Sequence, residues 1–188
     1  MIEVRPGGRR RIDRVLSGDY LRDLDRMPLA TLRERRDEAA QEETDLSYLR
    51  RLLHARIDIV LAEQRRRTSG DQHSVVDQLA AILADSPVGK TARPGRHQPL
   101  VPSRTGERRR QVEPLVADVG LSDVAALSAD ALADSLRAYR AEETSVSGRR
   151  REVQNVVDTI NGEIAGRYAV GTASVDELLA AQRGDQPV

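Results

Sequence analysis

Residues 42–58 read EETDLSYLRRLLHARID, and residues 142–158 read EETSVSGRRREVQNVVD. Seven positions are identical between these two stretches, which lie 100 residues apart. They belong to a longer ungapped match of residues 27–84 with residues 127–184, in which 15 of 58 positions are identical. Similarity at a fixed offset indicates an internal duplication, so the chain is predicted to contain two copies of one helical unit.

Each copy has the pattern of one long helix followed by a short one, and no proline interrupts either pattern. The first long helix is predicted to start at Pro28 and to end at Thr68-Ser69-Gly70-Asp71. The second is predicted to start at the N-cap Ser128 and to end at Val170-Gly171. Capping-box patterns predict that the short helices begin at Ser74 and Ser174.

Apolar residues recur along the long helices at intervals of three and four, the spacing of a coiled-coil seam. The positions that share a register are 46, 49, 53 and 60 in the first copy, and 132, 136, 139, 146, 153 and 160 in the second. Two such helices on a long linker bury their seams most simply by packing antiparallel. The predicted fold is all-α, an antiparallel two-helix coiled-coil hairpin with short flanking helices and a long flexible linker.

The predicted organisation has four parts. Residues 1–15 are expected to be a disordered N-terminal tail, and residues 16–85 form the first helical repeat unit. Residues 86–106, SPVGKTARPGRHQPLVPSRTG, hold four prolines and three glycines without apolar periodicity, which predicts a flexible linker. Residues 107–188 form the second helical repeat unit.

Composition excludes several classes of protein. The 188 residues include no cysteine and three scattered histidines, which excludes disulfides and thiolate metal sites and disfavours a histidine cluster. Thirty basic residues balance 30 acidic ones, which argues against a bulk electrostatic nucleic-acid binder. No apolar run is long enough to span a membrane, and the N-terminus lacks a secretory signal, so a cytoplasmic location is expected.

A helical projection places polar residues on one side of each long helix, next to the apolar seam. Five residues of each copy lie within about 80° of one another and extend over about 22 Å of helix. The first stripe consists of Glu43, Ser47, Arg50, His54 and Asp58. The second stripe consists of Glu143, Ser147, Arg150, Gln154 and Asp158.

The chemistry of the stripes favours a nucleotide ligand. Carboxylates accept hydrogen bonds from the N1–H and N2–H₂ edge of guanine, whereas arginine donates to guanine O6 and N7 or to phosphate. A symmetric ligand with two guanines and two phosphates suits a doubled half-site. A solvated helix face with intrahelical pairs is the alternative. Against it, serine is a poor choice for a merely exposed helix interior, and the identities concentrate on these polar positions.

The pattern E-x3-S-x2-R-x3-Q-x3-D of the second stripe resembles the duplicated signature of the RsiG family, the cyclic-di-GMP-responsive anti-sigma factors of streptomycetes. The first stripe departs from it at His54, where glutamine is expected, and this makes pairing there sensitive to pH. The resemblance implies that the ten stripe residues bind a dimer of cyclic di-GMP. It also implies that the loaded hairpin captures a WhiG-type sporulation sigma factor and keeps it from core RNA polymerase.

Other functions remain open from the residues alone. In a coiled-coil scaffold or adaptor without a ligand, the stripe residues would form solvent-exposed pairs along each helix. An arginine-rich nucleic-acid binder would use triplets such as Arg65-Arg66-Arg67, which acidic residues balance. No general acid/base pair, activated nucleophile or metal cage is recognisable, so we expect no catalysis, no metal, no cofactor besides the regulatory ligand, no direct contact with nucleic acid and no membrane association.

Overall fold

The computed structural model describes residues 2–69 and 124–171. Within them the chain forms three α-helices and no strand: α1 (Arg11–Val15), α2 (Leu29–Ser69) and α3 (Ala129–Ala169). One 3-10 turn, Leu24–Arg26, precedes α2, and a second, over residues 124–126, precedes α3. The predicted linker over 86–106 and the short helices predicted from Ser74 and Ser174 lie outside the described residues.

The duplication is visible in the backbone. Helices α2 and α3 each contain 41 residues and are displaced by 100 positions. The Pro28 carbonyl accepts from the Leu32 N–H at 3.1 Å, and the Ser128 carbonyl accepts from the Leu132 N–H at 3.0 Å. The Ser128 hydroxyl also accepts from the Ala131 N–H at 3.1 Å, as an N-cap does. The predicted starts of both long helices are therefore confirmed.

Helices α2 and α3 pack against each other in antiparallel orientation. Arg67, near the end of α2, donates to the carbonyls of Val124 and Ala125, just before α3 begins. Arg33, near the start of α2, donates to the hydroxyl of Tyr168 at the end of α3. The predicted antiparallel helical hairpin is confirmed.

The core contains the predicted seam and extends it toward the start of α2 at seven-residue intervals. Leu32, Ala39, Leu46, Leu53 and Val60 are at most 1% exposed, and their counterparts Leu132, Tyr139, Val146, Val153 and Ile160 are at most 2% exposed. A strict seven-residue repeat keeps one row of side chains facing the partner helix, as in a coiled coil. Neither helix can hide this row alone, so each is stabilised mainly by the other.

Packing divides the structure into two compact units. The first joins α2 from Thr44 onward to α3 as far as Arg150, and Leu46, Leu53 and Val146 are fully buried in it. The second joins the N-terminal segment and α2 up to Glu43 to α3 from Arg151 onward. Each unit contains a part of each long helix, so neither unit coincides with a sequence repeat.

The N-terminal segment requires a correction. Residues 1–15 were expected to be disordered, but α1 lies within them, and its Ile12 and Val15 are 3% and 1% exposed. Asp13 organises the preceding loop: its carboxylate accepts from the Arg5 N–H at 2.9 Å and from Arg10 Nε at 2.8 Å. These apolar residues have no periodic pattern in the sequence, and only a surface built by other residues allows them to be buried.

Tyr20 attaches this segment to α2. Its hydroxyl donates to the Arg35 carbonyl at 2.8 Å and lies 3.0 Å from Glu38 Oε2. The Arg35 guanidinium lies over the Tyr20 ring, 5.3 Å from its centroid, in a cation–π contact. Burial and the adjacent Glu38 carboxylate raise the pKa of Tyr20 above its ordinary value, so the phenol stays protonated and remains a donor.

Equivalent arginines stabilise the two ends of the helix pair. Glu63 accepts from Arg67 Nε at 2.6 Å while Arg67 donates to carbonyls before α3. A hundred residues later, Glu163 accepts from Arg167 Nε at 2.8 Å while Arg167 donates to the carbonyls of Leu24 and Met27 before α2. Each long helix thus ends in a glutamate-oriented arginine that satisfies carbonyls at the entry to the other helix.

Acid is expected to destabilise the protein through Glu63. Hydrogen bonds from Arg66 and then Arg67 lower the pKa of this 0% exposed glutamate from 4.5 to about 2. A carboxylate with a lowered folded-state pKa stabilises the protein above its unfolded pKa, and this stabilisation, about 3 kcal/mol here, is lost as the pH falls from about 5 to 2. Urea unfolding followed by circular dichroism at several pH values measures it.

Glu63→Gln is the matching variant for that experiment. It should be less stable than the wild type at pH 7 and should lose less stability between pH 5 and pH 2, because the titrating group is gone. Asp13, whose pKa hydrogen bonds from Arg10 lower to about 2, accounts for part of the slope that remains. Identical acid slopes in the variant and the wild type would contradict the assignment.

Candidate functional site

The structure places all ten stripe residues on the two long helices, five on each. All five residues of the first stripe are partly buried. In the second stripe Glu143, Ser147 and Arg150 are partly buried, whereas Gln154 and Asp158 are exposed. Because each helix is continuous, the five residues of a stripe share one side of it, as the sequence predicted.

The compact units divide the stripes unequally. Seven of the ten residues belong to the first unit, and the other three, Glu43, Gln154 and Asp158, belong to the second. Within the first unit the two stripes meet directly: His54 Nε2 lies 3.3 Å from Glu143 Oε1. Ser147 Oγ donates to that same oxygen at 2.6 Å. One carboxylate therefore contacts side chains from both long helices.

The contact between His54 and Glu143 defines the local register of the antiparallel pair. Moving four residues back along α2 and four forward along α3 brings Arg50 level with Ser147. A further three residues bring Ser47 level with Arg150, whose Nε is inaccessible to solvent. Within the first unit, the middle of the paired stripes therefore carries two arginines and two serines.

The N-terminus contacts α3 on the side away from the second stripe. The Ile2 N–H donates to Ser145 Oγ at 3.1 Å, and the Ile2 carbonyl accepts from Arg149 Nε at 3.2 Å. At 100° per residue, Ser145 and Arg149 lie roughly 180° and 140° from the middle of the stripe. This contact therefore does not involve the stripe side of α3.

The sequence did not predict that Glu42 and Glu142 are buried. They are 0% and 9% exposed, although each immediately precedes the first glutamate of a stripe. They lie three residues after the core positions Ala39 and Tyr139, where a coiled coil ordinarily buries an apolar side chain. The sequence shows glutamate at this position in both copies, but that match does not distinguish a glutamate in the core from one that faces a ligand.

In the described ranges, no group of three or more histidine, aspartate or glutamate side chains is placed to hold a metal ion. No helix within residues 2–69 and 124–171 has the length and apolar character needed to cross a membrane. What the stripes offer is a row of carboxylates and arginines for a ligand with both donors and anionic groups.

A family model described as RsiG-like matches residues 18–83 and 118–182, well over half of the chain. The chain belongs to the RsiG-like family. The match contains α2, α3 and both stripes, whereas α1 lies outside it. No curated protein matches the chain.

Membership of the RsiG-like family indicates a regulatory role of the anti-sigma-factor type. The duplicated match agrees with the duplicated backbone, because each matched segment contains one complete 41-residue helix. The helix pair and both stripes therefore lie within the part of the chain that the family model matches.

Proposed function

We propose that this RsiG-like protein is an anti-sigma factor that binds cyclic di-GMP, as a dimer of the nucleotide, and in its loaded state sequesters a WhiG-type sporulation sigma factor from RNA polymerase. The observation that carries the proposal is the direct contact of the two stripes through His54, Glu143 and Ser147. A ligand held by one stripe is thereby within reach of the other.

The roles of the side chains follow from their hydrogen-bonding chemistry. Carboxylates such as Glu143 and Asp58 accept from the N1–H and N2–H₂ groups of guanine. Arg50 and Arg150, near the middle of the paired stripes, donate to phosphate or to guanine O6 and N7. The serines and Gln154 supply further donors. These roles bind a ligand without changing it, so the proposal includes no catalysis.

The sigma factor completes the proposal. The stripes lie on partly exposed helix sides, so a nucleotide on them keeps its other face in water. A protein domain laid over that face gains contacts to the nucleotide and to the hairpin together. This arrangement makes the nucleotide part of the interface, and the family's anti-sigma role supports a sigma factor as the partner.

The test is isothermal calorimetry of the purified protein with cyclic di-GMP and, as a matched control, cyclic di-AMP. Cyclic di-GMP should bind, and two nucleotides per chain would support a bound dimer. Cyclic di-AMP should bind much more weakly, because adenine has an acceptor where guanine has its N1–H donor and leaves the carboxylates unpaired. If the two nucleotides bound equally well, the proposed ligand would be contradicted. It would also be contradicted if neither nucleotide bound when sigma factor was present.

A scaffold without a ligand is the second candidate, and one observation favours it. Glu143 already pairs with Ser147 four residues on and with His54, as on a solvated face. Such a scaffold would bind a partner helix equally well with or without nucleotide. The same purified protein, tested for capture of a WhiG-type sigma factor in both conditions, separates the two candidates.

A further inference from the structure

We infer that His54 is a positioning residue that holds Glu143 for the ligand and makes binding at this site dependent on pH. The inference rests on the proposed function and concerns the one position at which the first stripe departs from the second. At that position the second stripe has Gln154, which does not change charge. The two halves of the site therefore differ in their response to protons.

The geometry shows how His54 acts through Glu143. Nε2 of the imidazole lies 3.3 Å from Glu143 Oε1, which also accepts from Ser147 Oγ at 2.6 Å. The carboxylate is thus held by a group on its own helix and by a group on the facing helix. Two contacts from different directions restrict its rotamers, so less conformational freedom is lost when a guanine edge binds.

Solvent reaches both groups. The side chain of His54 is 43% exposed and that of Glu143 is 22% exposed. Histidine is the side chain that ordinarily changes charge between pH 5 and 8. Charged groups near His54 in this register come from both helices of the first unit. On α2 they are Arg50, Arg51 and Asp58, three or four residues from His54 along the chain. On α3 they are Glu143 itself, Arg140 three residues before it and Arg150 seven residues after it.

Protonation of His54 should strengthen binding of cyclic di-GMP through two effects that act in the same direction. A charged imidazole makes the contact with Glu143 charge-assisted, which holds the carboxylate more firmly. The added positive charge also favours a ligand that carries two phosphodiester anions. Acidification from pH 8 to pH 6 should therefore raise the affinity for cyclic di-GMP, while the half-site with Gln154 does not respond.

The experiment measures the dissociation constant of cyclic di-GMP at pH 6 and pH 8 for three proteins. The wild type should bind about three- to tenfold more tightly at pH 6, the size expected when one hydrogen bond becomes charge-assisted. His54→Gln, which restores the glutamine of the second stripe, should bind with less than about a twofold difference. His97→Gln removes a histidine outside both stripes and should behave like the wild type. Equal slopes in His54→Gln and the wild type, or tighter binding of the wild type at pH 8, would overturn the inference.

A measurement without ligand separates this inference from the proposed function. Urea unfolding of the wild type, His54→Ala, Glu143→Ala and the double variant forms a double-mutant cycle. The coupling between the two side chains should be present and should be larger at pH 6 than at pH 8. A coupling free energy that is absent, or that is equal at the two pH values, would contradict the inference. If the coupling behaves as expected but cyclic di-GMP binds at neither pH, the proposed function has failed instead.

Discussion

Replacing Arg50 and Arg150 together with alanine is expected to abolish binding of cyclic di-GMP while the helix content stays nearly unchanged. Each arginine is assigned charge-assisted hydrogen bonds worth about 1.5–3 kcal/mol. Loss of both corresponds to at least about a hundredfold weaker binding. Alanine is the better helix former, so the change should not unfold either helix. Calorimetry gives the affinity, and circular dichroism gives the helix content.

The matched control is the double variant Arg51→Ala with Arg151→Ala. These arginines are also identical in the two copies and directly follow the first pair, but both are exposed and point about 100° away from it. The control should bind nucleotide within a few-fold of the wild type. If circular dichroism collapsed in the Arg50 and Arg150 variant, the stripes would be structural. If the control lost as much binding, simple attraction between charges would explain the result.

Cyclic di-GMP and the sigma factor are expected to bind cooperatively, each raising the affinity for the other by the same factor. A nucleotide on an exposed stripe contributes to the surface that sigma contacts, and sigma in turn covers the open face of the nucleotide. Thermodynamic linkage makes the two factors equal, and couplings of this kind are typically about 5–150-fold. Titrating a WhiG-type sigma factor into the protein at zero and at saturating cyclic di-GMP measures one factor.

The reciprocal titration, nucleotide into protein with and without sigma, measures the other factor. The Arg50→Ala with Arg150→Ala variant serves as the control, because it should bind sigma with the same low affinity at every nucleotide concentration. If sigma bound the wild type equally well with and without cyclic di-GMP, the nucleotide would not gate the interaction. The protein would then be a constitutive sigma binder or a scaffold.

The amino-acid sequence by itself determined the elements and their chemistry. The 100-residue offset, the seam through Leu46 and Val146 and the lack of proline inside the two helical patterns were enough to predict two long helices and their antiparallel packing. Likewise, the spacing of the stripe residues was enough to place them on one side of each helix. These features are periodic or local, and regular helix geometry converts such patterns directly into positions on a surface.

Contacts between distant residues were decided only by the tertiary structure. The relative register of α2 and α3 sets His54 beside Glu143, and a shift of one turn would have paired other residues. The partners of Arg67 and Arg167 are backbone carbonyls, which carry no sequence signal. The sequence therefore showed that the glutamate–arginine pairs are repeated, but it did not show that these arginines bind the segment before the other helix. Ile12 and Val15 were assigned to a disordered tail because they show no periodicity. They are buried because folding of the rest of the chain creates a surface that excludes water around them, and the hydrophobic effect acts on that surface, not on the sequence pattern.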